Sequence, residues 1–387
     1  MSVSGRCQFV LALAVILVTG CQTAPQGQPS TPPSGSATGL AGGLPTPTLV
    51  TITSEHPVLR LGPFGVGNLA CNGQTMAFST SSAPRQSRND LIKVAGMDGS
   101  NVHVVARATH GGTLTDAVPV SADWVVFLEY AQAGQGASAN FWYLNAASLR
   151  DGHLVGLASA TAPPGALELP TYAVSGNQVL WAQVAPDGSQ ALLTQDLAVG
   201  ARSQVPLPAY MRPFSPSIAG STVVFIDDET SAPASADVQH GGSLQRIDLG
   251  SASIRSLERP VVYAPVTNGK TVIWTTDAQD PLHPGPNLVW SPVIGSIDGG
   301  QPRRLAAVGD LTLLSDEFAA WPDHETRDIF AYRMNSGRLA EIRVAGRDDL
   351  RAVLALCGST LLYALPPEVD GDQSVIRSID LAHILPG

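Results

Sequence analysis

Apolar and polar positions along this chain fall into one recurring phrase: a short apolar run, a tight polar or glycine turn, and a second apolar run ending in an aromatic residue. Seven instances can be read, in Cys71-Asn72-Gly73-Gln74-Thr75-Met76-Ala77-Phe78, Ala122-Asp123-Trp124-Val125-Val126-Phe127, Gly176-Asn177-Gln178-Val179-Leu180-Trp181, Gly220-Ser221-Thr222-Val223-Val224-Phe225, Gly269-Lys270-Thr271-Val272-Ile273-Trp274, Asp316-Glu317-Phe318-Ala319-Ala320-Trp321 and Gly358-Ser359-Thr360-Leu361-Leu362-Tyr363. The closing aromatics are spaced 49, 54, 44, 49, 47 and 42 residues apart. A period of this size marks a supersecondary unit that buries its apolar surface only by stacking on its neighbours.

The second strand of each unit is apolar at consecutive positions, as in Val223-Val224-Phe225. A strand with one solvated face alternates, so these strands are expected to be covered on both faces. A third strand follows a variable polar loop, as in Leu91-Ile92-Lys93-Val94 before Asp98-Gly99, and a shorter fourth strand completes the unit, as in Leu339-Ala340-Glu341-Ile342. The pattern predicts an all-β chain, a seven-bladed β-propeller of four-stranded antiparallel blades. The last unit offers only three strands, up to Ser374–Ile379. The unassigned run Thr48-Leu49-Val50-Thr51-Ile52-Thr53 is expected to supply its outer strand and close the ring.

The stretch Leu314–Asp323, with Asp328-Ile329-Phe330-Ala331-Tyr332 and Ser336-Gly337 after it, resembles the cell-surface propeller repeat written I-S-G-x-x-I-V-W-x-D…D-I-Y-x-Y-D-L…T-G. Asn89–Val94 with Met97–Asn101 is similar to the strand and turn of TolB-like repeats. The likeness is clearest in units one and six. The chain departs from TolB in blade number and in having no N-terminal α/β domain, so TolB's partners do not carry over. The absence of a Trp-Asp dipeptide at blade ends argues against WD40 repeats.

Before the first unit, Arg6 precedes an apolar run from Phe9 to Val18. About ten residues are too few to span a bilayer, which needs roughly twenty, so this reads as a signal peptide. Val18-Thr19-Gly20-Cys21 resembles the bacterial lipobox, which implies cleavage after residue 20 and acylation of Cys21. Residues 21–47, rich in Pro, Gly, Ser and Thr, read as a linker. Its flexible part would span about 28 Å on average. The expected organisation is therefore 1–20 signal peptide, 21–47 lipid-anchored linker and 48–387 propeller, held extracytoplasmically at the bilayer. A net charge of −10 argues against nucleic acid and anionic lipid headgroups as partners.

Cys7 would leave with the signal peptide and Cys21 would be lipidated, leaving Cys71 and Cys357 as a pair in an oxidising compartment. They end the first strands of units one and seven, neighbours in a closed ring, and a disulfide between them is expected. The alternative is two free thiols, because Cys71 stands seven residues before its aromatic and Cys357 six.

Several chemical signatures fail on context. Gly65-Val66-Gly67-Asn68-Leu69-Ala70 matches a dinucleotide fingerprint, but no helix pattern follows it. His110-Gly111-Gly112 and His240-Gly241-Gly242 lack an accompanying G-x-S-x-G nucleophile and read as turns. What remains is an acidic set of second-to-third-strand loops, which should emerge together on one face. They hold Asp227, Asp228, Glu229 and Asp237; Asp277, Asp280 and His283; Asp323, His324, Glu325 and Asp328; and Glu368, Asp370 and Asp372. Unit one offers Arg85 and Arg88 instead. Asp227, Asp228, Asp277, Asp323, His324 and Glu325 are the candidate ligand-binding residues, and such oxygen-rich sets suit Ca²⁺ or Mn²⁺. The favoured expectation is a non-catalytic module binding an envelope protein or glycan, with these loops serving chiefly as solvated caps. The alternative is a metal-dependent hydrolase or lyase acting on a sugar or lactone, which requires Asp227, Asp277, Asp323 and His324 to converge.

Overall fold

The computed structural model describes residues 44–53, 56–84, 88–131, 140–162, 169–184, 189–228, 242–261, 263–279, 288–306, 312–323, 328–344, 352–365 and 373–387. The expected signal peptide, Cys21 and most of the expected linker lie outside them. Seven antiparallel sheets follow one another along the chain, and the first strands of neighbouring sheets contact one another around a common axis. This is a seven-bladed β-propeller. Blade one, typical of the set, runs Val66–Cys71, Thr75–Thr80, Leu91–Gly96 and His103–Arg107 from axis to rim.

The core lies between blades. Trp142 and Leu144 of blade two pack with Val179 and Trp181 of blade three, whereas Leu180 and Leu192 pack the other way, onto Val223 and Phe225 of blade four. This is why the second strands are apolar at consecutive positions. All seven repeat aromatics are at most 3% exposed. Burying each such side chain contributes about 1.5–3 kcal/mol. Among the described residues the one helix is Leu381–Ile384, and no helix is long and apolar enough to cross a membrane.

The ring closes through an N-terminal strand in the last blade, but not the one expected. His56–Gly62 pairs antiparallel with Ser374–Asp380 and becomes the fourth strand of blade seven. Thr48–Ile52 instead pairs parallel with Arg338–Val344, adding a fifth strand to blade six, where Val50 and Ile52 cover its core. Pro57 and the Gly62-Pro63 pair conceal the closing strand from a sequence reading. The register shifts at Pro57/Leu59 and at Arg60/Gly62, and a proline that cannot donate to a ladder is tolerated at such an outer position.

The seam carries two further fastenings. Cys71 and Cys357 form a disulfide, with Cα atoms 6.0 Å apart. The one-residue offset between them is absorbed outside the strands: three residues separate Cys71 from Thr75, whereas Gly358-Ser359 alone join Cys357 to Thr360. Both cysteines therefore finish their strands at the same end of the ring. At the rim, Gly99 turns with φ 80° against the closing strand, and a Cβ there would lie 2.0 Å from the Val58 carbonyl oxygen. Only glycine allows that approach.

Other junctions use side chains that reach neighbouring backbone. Asn72 Nδ2 donates to Ser121 O (2.6 Å), Asn68 Nδ2 to Ala117 O (3.2 Å) and Asn268 Nδ2 to Ser315 O (3.0 Å). Between blades two and three, Arg202 donates to Leu157 O (3.0 Å) while lying over the Trp181 ring.

Candidate functional site

The second strands carry the acidic residues to the face where their loops emerge. Phe127, Phe225 and Trp321 each have a carboxylate two positions later: Glu129, Asp227 and Asp323. That register places all three on their aromatic's side of the strand. They are 1%, 8% and 8% exposed, which makes them buried groups in need of partners.

Glu129 is held by five donor contacts. Its carboxylate accepts from Thr109 N (3.2 Å), Thr109 Oγ1 (3.1 Å), His110 N (2.7 Å), His110 Nδ1 (3.2 Å) and Gly112 N (3.3 Å). Desolvation pushes the Glu129 carboxyl up, but the bonds from His110, Thr109 and Gly112 outweigh it and hold the group below its ordinary value. The result is a fixed crossover from blade one to blade two. Gly112 is required there, since a Cβ would lie 2.7 Å from Tyr130 O. Arg88, one of the two unit-one arginines, donates to Gly111 O.

This crossover presents an aromatic group. The His110 imidazole stacks on Tyr143 with ring centroids 3.8 Å apart and an interplanar angle of 11°. Phe141 lies 5.5 Å from Tyr143, tilted, and 6.1 Å edge-on from His110. The His110 side chain is 43% exposed, and both rings beneath it are half-buried. An ionised carboxylate only accepts, so Nδ1 carries the proton bonded to Glu129 and Nε2 is left for an external partner.

The candidate carboxylates of blades four and six are committed differently. Asp227 accepts from Arg212 N (2.9 Å), and Asp228 N donates to Arg212 O (3.0 Å), so this pair fastens the crossover entering blade four. Asp323 N donates to Asp328 O (2.9 Å), and Asp328 receives Arg343 Nε (2.9 Å). Asp277 sits in the strand Thr271–Gln279 opposite Trp290. His324, Glu325, Glu229, Asp237, Asp280, His283, Glu368, Asp370, Asp372 and Arg85 lie outside the described residues. Asp227, Asp277 and Asp323 belong to three successive blades. Among the described residues no three His, Cys, Asp or Glu side chains are grouped so as to hold a metal ion.

A further carboxylate stands inside the ring. Asp116 occupies a bulge in the first strand of blade two with φ 51° and is exposed. Desolvation by the surrounding protein raises its carboxyl, offset in part by the Thr115 hydroxyl. Tyr172 of blade three donates to Asp116 O and to Val126 O (3.3 Å), and its hydroxyl is pushed well up by burial and by Asp116.

Glu129, Tyr143 and Asp116 are not among the site candidates the sequence offers, and His110 reads there only as part of the turn His110-Gly111-Gly112, where the structure also has it. Glu129 had a legible signal, a charge two residues past the repeat aromatic, in step with Asp227 and Asp323. Its partners come from a turn 17–20 residues earlier, and no local pattern links them.

No protein-family model matches this chain, and no curated protein matches it. Its likeness is to solved propellers. The β-propeller domain of the Trilobed protease from Pyrococcus furiosus, described as having an open velcro topology, is 8% identical with a TM-score of 0.53, covering 78% of this chain and 91% of that one. A prolyl endopeptidase is 13% identical with a TM-score of 0.53; the match covers 84% of this chain and 48% of the endopeptidase, about half its length. TolB from Acinetobacter baumannii is 12% identical with a TM-score of 0.41, covering 82% and 80%. At these identities the two likenesses with a TM-score of 0.53 show the fold alone.

Proposed function

We propose that this chain is a lipid-anchored, extracytoplasmic propeller that acts as a non-catalytic binding or scaffolding module for a protein or glycan of the cell envelope. The observation that carries the reading is how the described loop-face carboxylates are used. Glu129, Asp227 and Asp328 each take hydrogen bonds from their own chain, building a rigid face on which a partner can be held. The Cys71–Cys357 disulfide supports an oxidising compartment, in keeping with export. The lipobox-like Val18-Thr19-Gly20-Cys21 supports anchoring through Cys21.

Two measurements test this. Intact mass of the protein isolated from membranes should show acylation at Cys21, and Cys21→Ala should move the protein to the soluble fraction; an unmodified Cys21 would remove the anchor. Affinity capture with full-length protein in detergent, from solubilised envelopes, should recover a specific envelope protein or glycan. Recovery of neither would sink the binding reading.

A further inference from the structure

The outer edges of the seven blades differ in how they are guarded. An outermost strand presents backbone N–H and C=O groups with no partner in the sheet, and proteins blunt such edges with short strands, bulges, proline or charge. Arg202–Gln204 and Arg303–Arg304 are three and two residues long. His103–Arg107, Leu154–Ala162, Ser253–Val261 and His56–Gly62 each break register at a bulge, and all but Leu154–Ala162 also carry arginine. Blade six is the exception among the described edges. Its outermost strand, Thr48–Ile52, holds five consecutive pairs with Arg338–Val344 without a shift and contains no charge, glycine or proline. Val50 and Ile52 cover the core, so Leu49 lies on the other side of the strand. Leu49 is 53% exposed, more than any other large apolar side chain in a described strand.

We propose that Thr48–Ile52 is a self-association edge, on which a second copy of this chain pairs its own Thr48–Ile52 antiparallel across a two-fold axis. The choice of a second copy follows from the strand's own sequence. In a two-fold contact the same patch serves both sides, so any charge in it recurs across the axis within a few residues and repels its copy. Thr48–Ile52 has none. A register centred on Val50 is the one that pairs all five residues: Val50 meets the partner's Val50, Leu49 the partner's Thr51, and Thr48 the partner's Ile52. Leu49 then loses water against the partner strand, and Val50 and Ile52, half-buried over the blade-six core, gain cover on their open side. Pro47 cannot donate to a ladder, so the pairing stops at Thr48. The contact joins two five-stranded blades into one continuous sheet. Five residues a side are far fewer than the roughly 20–30 of a standard interface, so the association is weak in dilute solution and grows with local concentration. It is independent of the binding reading above, because the edge lies at the rim of blade six and shares no residue with the loop face.

The test uses the full-length protein in detergent. Sedimentation equilibrium over a concentration series should show a reversible dimer. Leu49→Lys, which leaves the core side of the strand untouched, should raise the dissociation constant at least tenfold in the same detergent. Val50→Cys should give a covalent dimer with a short thiol-specific cross-linker, because the two copies of position 50 face each other. Thr48→Cys should not, since its two copies lie roughly 13 Å apart along the strands. Thermal melts within a few degrees of the wild type establish that each variant is folded. An unchanged dissociation constant in Leu49→Lys, or equal cross-linking at positions 50 and 48, would overturn the proposal. A monomer at every concentration would overturn it too and leave the edge to an extended segment of another protein.

Discussion

Blade one is held on its two sides by different means. Toward blade seven the contact is made by parts of the chain far apart in sequence, and it is secured by a disulfide spanning 286 positions, by the closing strand His56–Gly62 and by the tight seat of Gly99 on Val58. Toward blade two the partners are close in sequence, and side-chain hydrogen bonds suffice: Asn68 and Asn72 onto backbone carbonyls, and Glu129 around the crossover. The loop entropy lost in bringing segments together grows with their separation, so the long-range side is where a covalent bond is most effective. The difference shows that a repeat fold has one junction unlike the rest, and that this chain reinforces it.

Removing the disulfide tests this most strongly. Cys71→Ala with Cys357→Ala should destabilise the fold by about 4 kcal/mol, read as a lower urea midpoint; an unchanged midpoint would mean the borrowed strand alone closes the ring. Next, Glu129→Ala strips the other junction of its central acceptor and takes the partner from the N–H groups of Thr109, His110 and the buried Gly112, a loss of about 3 kcal/mol in the same assay. A loss below about 1 kcal/mol would show that the crossover is not held by this residue. Gly99→Val forces a side chain against the Val58 carbonyl at positive φ and should take about 2 kcal/mol from the seam. Asn72→Ala should remove about 1 kcal/mol from the ordinary junction, with other blade contacts compensating.

The ordinary junction should also be the acid-sensitive one. Glu129 has a lowered folded-state pKa, so its stabilisation is fully present above the ordinary glutamate value and is lost as pH falls through the lowered one. Melting wild type and Glu129→Gln from pH 7 down to pH 3 should therefore show a gap that is widest near neutrality and closes in acid. Asp116 has the opposite sign. Its raised carboxyl subtracts stability as pH rises through the shifted value, so Asp116→Asn should melt slightly above wild type at pH 7 and level with it at pH 3. A gap at pH 3 as large as that at pH 7 would contradict either assignment.

The spacing of the aromatics was enough to read seven blades, because each period must bury the same apolar surface against a neighbour. The Cys71–Cys357 pair was legible for the same reason, since both cysteines hold one place in the repeat. The closing strand is not, because Pro57 and Gly62 break the pattern that identifies a strand, and Thr48–Ile52 is the more regular run. The face was read only in part. The acidic residues announced themselves as charges in loops, but a sequence does not distinguish a carboxylate offered to solvent from one already holding Arg212 N or Arg343, and the His110–Tyr143 stack joins residues of a turn and a third strand through space.

The parallel strand Thr48–Ile52 has a mechanical consequence. The chain enters the described fold at the rim of blade six, so tension on its N-terminal end is delivered first to five residue pairs with Arg338–Val344 and only afterwards to blade seven. Pulled along its own axis, such a strand loads all its pairs at once, whereas a transverse pull opens them one by one. It works as strain relief: the added strand can give way under load while His56–Gly62 and the disulfide keep the ring closed.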